Sequence, residues 1–598
     1  MRRKEMSQQD QFRLKSDAAD FAILTSAMFT VAREMGKNME RTARAPIYFA
    51  AHDFVTTIIT RDMELLALAE YIPVLIGTTP FAVRAVKEFF GDDIHQGDVF
   101  LCNDPYTLNG GGQLADWCVV YPVFWNDKQV LWIANKAHQQ DTGGGAPGGY
   151  NPAAMDIYAE GLHIPPLRIF DRGKEIKDVF NLVMTNVRIP ETQRGDLLSM
   201  IGSARIGEKR IAALYDAYGE QKIETFMADL QNYGEFLMRE EIAKIPDGTY
   251  RGEIRGSGDA SPVICSLTVD GSNLIADFSK SGPMSAQYIN SPLANTVSCV
   301  YMALMTSVGK RIQYRCGGCY RPLKIVTEPG TITHAVYPVT QGNCTNFIAK
   351  QIIEAFWSAL SEAVPKEVPA GWGSINYWVF AGLDARRMEG FGSPDFQGCG
   401  SGAGAVWGVD GWPTNGPQIC SGTLYYPEIE IVESLYPIIW EKWQWATDSA
   451  GAGKWRGGCG VDNLWVCDSD PQPMHLAYAA DPFDYIPAPA IAGGKLPVQN
   501  SKSLILADGT YESPEDVRKK MIYVLRSGDK AIDVVQGGAG VGNPLERDVE
   551  AVRQDVRDEL VSFESAKNDY GVIIDRATLQ VDLSATEKLR KDVMTKAK

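Results

Sequence analysis

The side chains best suited to acid–base or ligand chemistry are concentrated between residues 97 and 170. Asp104, Gln113, Asp116, His138, Gln139, Gln140 and Asp141 all lie there, Asp104 just before and the others within two polar, glycine-rich segments, 109–116 and 136–150. Glycine lets backbone approach a ligand closely and adopt conformations that other residues resist. The chain has only six histidines in 598 residues. One of them, His138, stands between Ala137 and Gln139-Gln140-Asp141, where a neighbouring carboxylate could orient it for proton transfer near neutral pH.

The elements that must position these groups can be read around them. Two apolar runs, 117–125 and 129–134, lie between the polar segments and are expected to be strands. Upstream, Phe21, Leu24, Met28, Val31 and Met35 recur at helical spacing and predict a core helix. Residues 55–60 are β-branched and predict a strand, and Pro80 is placed to begin a helix. His52 beside Asp53 could form an acid–base pair, but a solvated loop histidine is the simpler reading. Residues 181–232 are polar and helical. From Asp247 the texture turns to short alternating runs, which sets a boundary near Pro246. Residues 370–422 are rich in glycine and aromatics and read as loops between strands. Residues 425–440 read as strand, with Glu428 and Glu430 on one face, and the glycine run from Gly537 reads as a turn. The expected organisation is three regions, 1–245, 246–345 and 346–598, in a mixed α/β (α+β) chain whose mixed sheets are flanked by helices and whose tail is helical.

Composition narrows the function classes. The chain is 45% hydrophobic and 22% charged, with net charge −16, so nucleic acid and anionic membranes are not expected partners. The early charges Arg2, Arg3 and Lys4 are not followed by an apolar segment, and no run of 18 or more apolar residues exists. A cytoplasmic protein without signal peptide or membrane span is expected. The eleven cysteines are scattered, and only Cys316-Gly-Gly-Cys319 has metal-like spacing. It reads as two thiols in a glycine turn; a half-site completed by another subunit or by Cys344 is the alternative.

An ordered set of motifs carries a resemblance. Asn103-Asp104-Pro105-Tyr106 is followed by paired glycines and an Asp, then Ala137-His138 with Asp141 and Gly143-Gly144, then Glu160-Gly161-Leu162 and Ile164-Pro165-Pro166. Glu34-Met35-Gly36, Asp53-Phe54, Arg321-Pro322 and Tyr570-Gly571-Val572 extend it over residues 17–575. Together they resemble the hydantoinase B/5-oxoprolinase family, which includes related subunits of acetone carboxylase, acetophenone carboxylase and caprolactamase.

The resemblance implies a multi-lobed hydantoinase B-like fold. It also implies a complex in which a larger hydantoinase A-like subunit binds ATP, with further small subunits beside it. That agrees with the lack of a Gly-x4-Gly-Lys-Ser/Thr loop here. In metal-binding relatives a His-x-x-Asp and a later His hold the ion; the matching positions here are Gln113, Asp116 and His138. Gln113 replaces a histidine, as do Gln139 and Ile76 at neighbouring family positions. Zinc or manganese on Asp116 and His138 is one expectation; action through hydrogen bonding and proton transfer is the preferred one. The implied activity is ATP-dependent carboxylation of an aryl methyl ketone by bicarbonate to a β-keto acid such as benzoylacetate, as in acetophenone carboxylase. His138, Asp116 and Asp141 would be catalytic, Asp104, Gln113 and Gln139 would bind substrate, and turn amides near 110–112 and 143–145 would supply donors. The alternatives are a subunit of an ATP-dependent cyclic-amide hydrolase (hydantoinase, oxoprolinase or caprolactamase) and a non-catalytic scaffold of such a complex.

Overall fold

The computed structural model describes residues 12–255, 261–480 and 488–596; the early charged residues lie outside them. The first long element is the helix Ala18–Thr42. Asp17 caps it by accepting the backbone N–H groups of Ala19 and Asp20, and Leu24, Met28, Val31 and Met35 form its buried stripe.

Seven strands build the sheet that carries the residues of interest: β1 (Phe54–Thr60), β2 (Leu65–Ala69), β3 (Val99–Cys102), β4 (Asp116–Trp125), β5 (Lys128–His138), β6 (Leu167–Asp171) and β7 (Lys174–Glu175). Their order is β2-β1-β5-β4-β3-β6-β7, with antiparallel pairing throughout. β1, β2 and β3 are buried almost without alternation, on both faces, as in a sheet covered on both sides. Two adjacent residues of β5 identify the covers. Asn135 Nδ2 donates to the Met200 carbonyl in the helix Pro190–Tyr218, and Lys136 Nζ donates to the hydroxyl of Thr78, just before the helix Thr79–Phe90. Neighbouring strand residues point to opposite faces, so these helices cover opposite sides. His138 shares the Lys136 side.

The middle of the chain forms β8 (Gly248–Ile254), β9 (Val263–Asp270), β10 (Asn273–Asp277) and β11 (Leu323–Val326), in the order β11-β10-β9-β8. β9 alternates buried and half-buried residues, the pattern of a sheet with one face against the core. Further along come β12 (Asn376–Asp384), β13 (Glu389–Pro394), β14 (Ile438–Trp445), β15 (Val461–Cys467), β16 (Met474–Ala480), β17 (Ser501–Ile505), β18 (Tyr511–Glu512), β19 (Ile522–Leu525) and β20 (Lys530–Val534). They make two sheets, β13-β12-β16-β19 and β14-β15-β20-β17-β18. Trp378, Phe380, Trp465, Leu476, Leu504 and Tyr523 form a core between them. A larger core, running from Leu24 to Val541, crosses residues 246 and 346, and the segment 549–572 packs in a smaller core of its own with Val552, Val556, Ala566 and Tyr570.

Two local readings are corrected. Residues 429–435 form a helix, Ile429–Leu435, and Glu428 and Glu430 share no strand face. Val432 buries into the core beside Tyr436, and Glu430 sits in the first helical turn, where the helix dipole favours a carboxylate. The Gly537 run is not a simple turn. It packs backbone against backbone with two other glycine-rich segments: a Cβ on Gly538 would lie 1.9 Å from the Ala403 carbonyl oxygen, and one on Gly457 would lie 1.9 Å from that of Gly538. Close hydrogen bonds run between the segments, from Gly538 N to Gly458 O and from Gly458 N to Ala403 O, both 2.8 Å. Glycine is required there because any side chain would separate the segments. Cys316 and Cys319 are both buried beneath the helix Glu220–Ile242, with Cys316 Sγ 3.4 Å from the Leu230 carbonyl. Among the described residues no helix is long and apolar enough to cross a membrane.

Candidate active site

Strand register assembles the centre of the site. Asp116, the first residue of β4, faces His138, the last residue of β5. Their Oδ1 and Nδ1 atoms are 3.0 Å apart. Gln113, in the turn before β4, closes a triangle: its Nε2 donates to Asp116 Oδ1 at 2.9 Å and lies 3.0 Å from His138 Nδ1. All three residues are buried. Two of their acceptor atoms, Gln113 Oε1 and Asp116 Oδ2, have no hydrogen-bond partner among the described residues. Leaving a buried acceptor unpaired costs about 1–3 kcal/mol, more when it is charged.

The triangle lines a small cavity of about 50 Å³. Asp53, Tyr150, Thr345, Asn346 and Tyr377 add to its polar lining, and Ile72, Leu75, Ile375, Phe396, Ile419 and Leu424 are among its apolar walls. Asp53 precedes β1, and its carbonyl accepts the His138 backbone N–H at 3.1 Å, which ties the two strand ends together. Burial pushes the Asp53 carboxyl up to about 6; His138 opposes that shift and Asp116 adds to it. For His138, burial favours the neutral ring, but the hydrogen bond to Asp116 and the charges of Asp53 and Asp116 outweigh it, so its pKa lies above the ordinary imidazole value. The site therefore holds an imidazole–carboxylate pair suited to proton transfer and a second carboxyl that titrates near its working range. Burial pushes the Cys399 and Cys420 thiols in the wall well up, which keeps both protonated and poorly nucleophilic.

The other expected site residues lie elsewhere. Gln139 follows His138 and points to the opposite side, where its Nε2 donates to the Tyr48 hydroxyl and its Oε1 accepts from Gln193. Asp141 is held by the Arg188 guanidinium at 2.9 Å and by the Arg188 and Gly143 backbone N–H groups at 2.8 and 3.0 Å. Asp104 closes its own turn, accepting from Tyr106 N at 2.9 Å and Thr107 Oγ1 at 2.8 Å. None of the three lines the cavity. Nor do residues 143–145, which pack against Asn186, Glu160 and Asn151. Gly112 does sit beside the centre, with space for a Cβ 3.4 Å from Lys136 Nζ and 4.0 Å from Asp116 Oδ2. Sequence reasoning missed Tyr150, Asn346 and Tyr377 as site residues. For Asp53 a local signal existed in the Asp-Phe pair. His52, its neighbour, turns to Tyr425, with ring centroids 4.6 Å apart.

The donors at the triangle do not fit a transition-metal ion. They comprise one carboxylate, one imidazole and one amide whose nitrogen, which cannot coordinate, faces the other two. No group of three or more His, Cys, Asp or Glu that could hold a metal occurs among the described residues.

The chain is 33% identical to caprolactamase subunit beta of Pseudomonas jessenii, over 96% of this chain and 99% of that protein. It is 26% identical to the acetophenone carboxylase delta subunit of Aromatoleum aromaticum, over 90% and 84% of the two chains. The crystal structure of the ATP-dependent caprolactamase from Pseudomonas jessenii superposes with a TM-score of 0.89 at 32% identity, covering 96% of this chain and 100% of that one. The family model for hydantoinase B/oxoprolinase matches residues 17–544, and the chain belongs to that family.

Proposed function

We propose that this chain is the substrate-side subunit of a cytoplasmic, ATP-dependent cyclic-amide hydrolase, in which a larger hydantoinase A-like partner binds ATP. The observation that carries the reading is the pair of unpartnered acceptors, Gln113 Oε1 and Asp116 Oδ2, in a cavity that also has apolar walls. A cyclic amide presents an N–H donor and a carbonyl on one edge and a hydrocarbon ring behind them. A ketone brings no donor for those acceptors. The similarity to caprolactamase supports the same choice over the aryl-ketone carboxylation expected from the motifs.

The chemistry follows from the His138–Asp116 pair. A water oxygen adds to the amide carbonyl carbon while His138 accepts one water proton. The ring C–N bond then breaks, and the nitrogen leaves with the proton returned by the imidazolium. Asp116 holds the ring orientation and stabilises its cationic form. In the complex the partner's ATP is cleaved in the same cycle, so that cyclic amide, ATP and two waters become ring-opened acid, ADP and phosphate.

Ketone carboxylation is the second reading, favoured by the tyrosine-lined wall of the cavity and the similarity to the acetophenone carboxylase delta subunit. The native complex, purified through this chain, separates the two. ATP turnover driven by a lactam or hydantoin is the expected result. Turnover driven by acetophenone, with carbon from bicarbonate entering the ketone, would replace it with the carboxylase. Activity that survives replacement of both Asp116 and His138 would make the chain a scaffold.

A further inference from the structure

Beside the acid–base pair, three residues from distant parts of the chain converge on the cavity: Tyr150 after β5, Asn346 in the π-helical turn Cys344–Ile348, and Tyr377 on β12. π-Helical turns recur at functional sites because the extra residue re-aims side chains. Asn346 Nδ2 donates to both phenol oxygens, at 3.2 Å to Tyr150 and 3.0 Å to Tyr377. Both tyrosines are buried, at 3% and 2% exposure. The Tyr150 ring stacks on His138, with centroids 5.5 Å apart and planes at 23°, and meets Tyr377 edge-on.

Hydrogen bookkeeping gives this wall a direction. Each phenol oxygen already accepts from Asn346, and each still carries its own hydrogen. One of those hydrogens can serve the neighbouring phenol; the Asn346 nitrogen, not its oxygen, is the atom that faces both phenols, so the other hydrogen is left for the cavity. The wall has a donor to spare, while Gln113 and Asp116 have acceptors to spare. The two surpluses belong to the same cavity.

We infer that Tyr150 and Tyr377, held by Asn346, grip the substrate's carbonyl oxygen and stabilise the negative charge that grows there as water adds. Nothing in the acid–base pair serves that oxygen. Asn346 is a positioning residue, acting through the two hydroxyls. The inference rests on the cyclic-amide reading, because it takes the carbonyl to be that of a ring amide.

The test uses the whole complex with Tyr150→Phe and Tyr377→Phe chains, on a lactam and on its thiolactam, whose sulfur is a poor hydrogen-bond acceptor. Loss of one oxyanion donor should lower kcat about 10²–10³-fold on the lactam, with KM changed far less. The preference of the unmodified complex for lactam over thiolactam should shrink in at least one variant. A merely structural tyrosine would slow both substrates alike and leave that ratio unchanged, and this result would overturn the inference. Asn346→Ala should shrink the ratio as well, and Asn346→Gln should restore part of it; an unchanged ratio in Asn346→Ala would remove that residue from the assignment. Melting curves identify any variant that fails to fold, and the ratio is then read from the other tyrosine. If the unmodified complex turns over no lactam, the cyclic-amide reading fails first, and the inference with it.

Discussion

Two buried charged clusters lie on either side of one wall, and they end their hydrogen bonds differently. In the cavity, Asp116 and Gln113 each leave an oxygen without a partner. Behind the wall, Asp395, Lys502 and Asp533 form a closed set. Lys502 Nζ donates to Asp533 Oδ1 at 2.8 Å, and Asn463 Nδ2 and Trp465 Nε1 both reach Asp395 Oδ2 at 3.1 Å. The remaining oxygens accept from Gly398 N at 3.3 Å and Asn463 Nδ2 at 3.4 Å. The Lys502 ammonium also lies over the Trp378 ring, 4.1 Å from its centroid. Asp395 sits between Pro394 and Phe396, both of which line the cavity, so the closed cluster anchors the wall that the open one faces. A buried charge alone does not mark a functional site; a buried charge with bonding capacity left over is the better sign.

The contrast can be broken from either side. His138→Ala should lower turnover of the complex about 10²–10⁴-fold by removing the acid–base group, with the melting temperature of the chain nearly unchanged. Lys502→Met should do the reverse. It leaves two buried carboxylates uncompensated, at a cost of about 3–5 kcal/mol, read as loss of folded protein on denaturant titration. A smaller effect sharpens the comparison. If neutral His138 is the base, the rate rises with pH through a midpoint above the ordinary imidazole value of 6.5, because Asp116 and Asp53 hold the ring protonated. Asp53→Asn removes one of those negative charges and should move the midpoint down. A midpoint that stays in place or rises would uncouple Asp53 from the ring.

The centre of the site is readable in the sequence because it is local. Two apolar runs joined by a short turn must pair antiparallel, which brings the start of one run, Asp116, to the end of the other, His138. The same polar segment also offers Gln139 and Asp141, and side-chain direction decides against them. Gln139 falls on the other side of the sheet from His138, and Asp141 spends its oxygens on Arg188 and on its own turn. Nothing local points to Asn346 or Tyr377, which come to the cavity from other sheets and helices more than 200 residues further along the chain than His138. Their position depends on long-range packing, to which composition and periodicity are blind. The helix at 429–435 is missed for a related reason: its alternation of Glu and Ile suits a strand, and burial of Val432 beside Tyr436 decides for a helix.

The most direct test pairs two like substitutions, Asp116→Asn in the open cluster and Asp533→Asn in the closed one, with turnover and melting measured for both. The account predicts that Asp116→Asn keeps its fold and loses turnover, while Asp533→Asn loses stability and keeps turnover in the fraction that remains folded. If Asp116→Asn turned over lactam at the unmodified rate, or if both substitutions destabilised the chain equally with no separate loss of turnover, the cavity cluster would not be the site of chemistry.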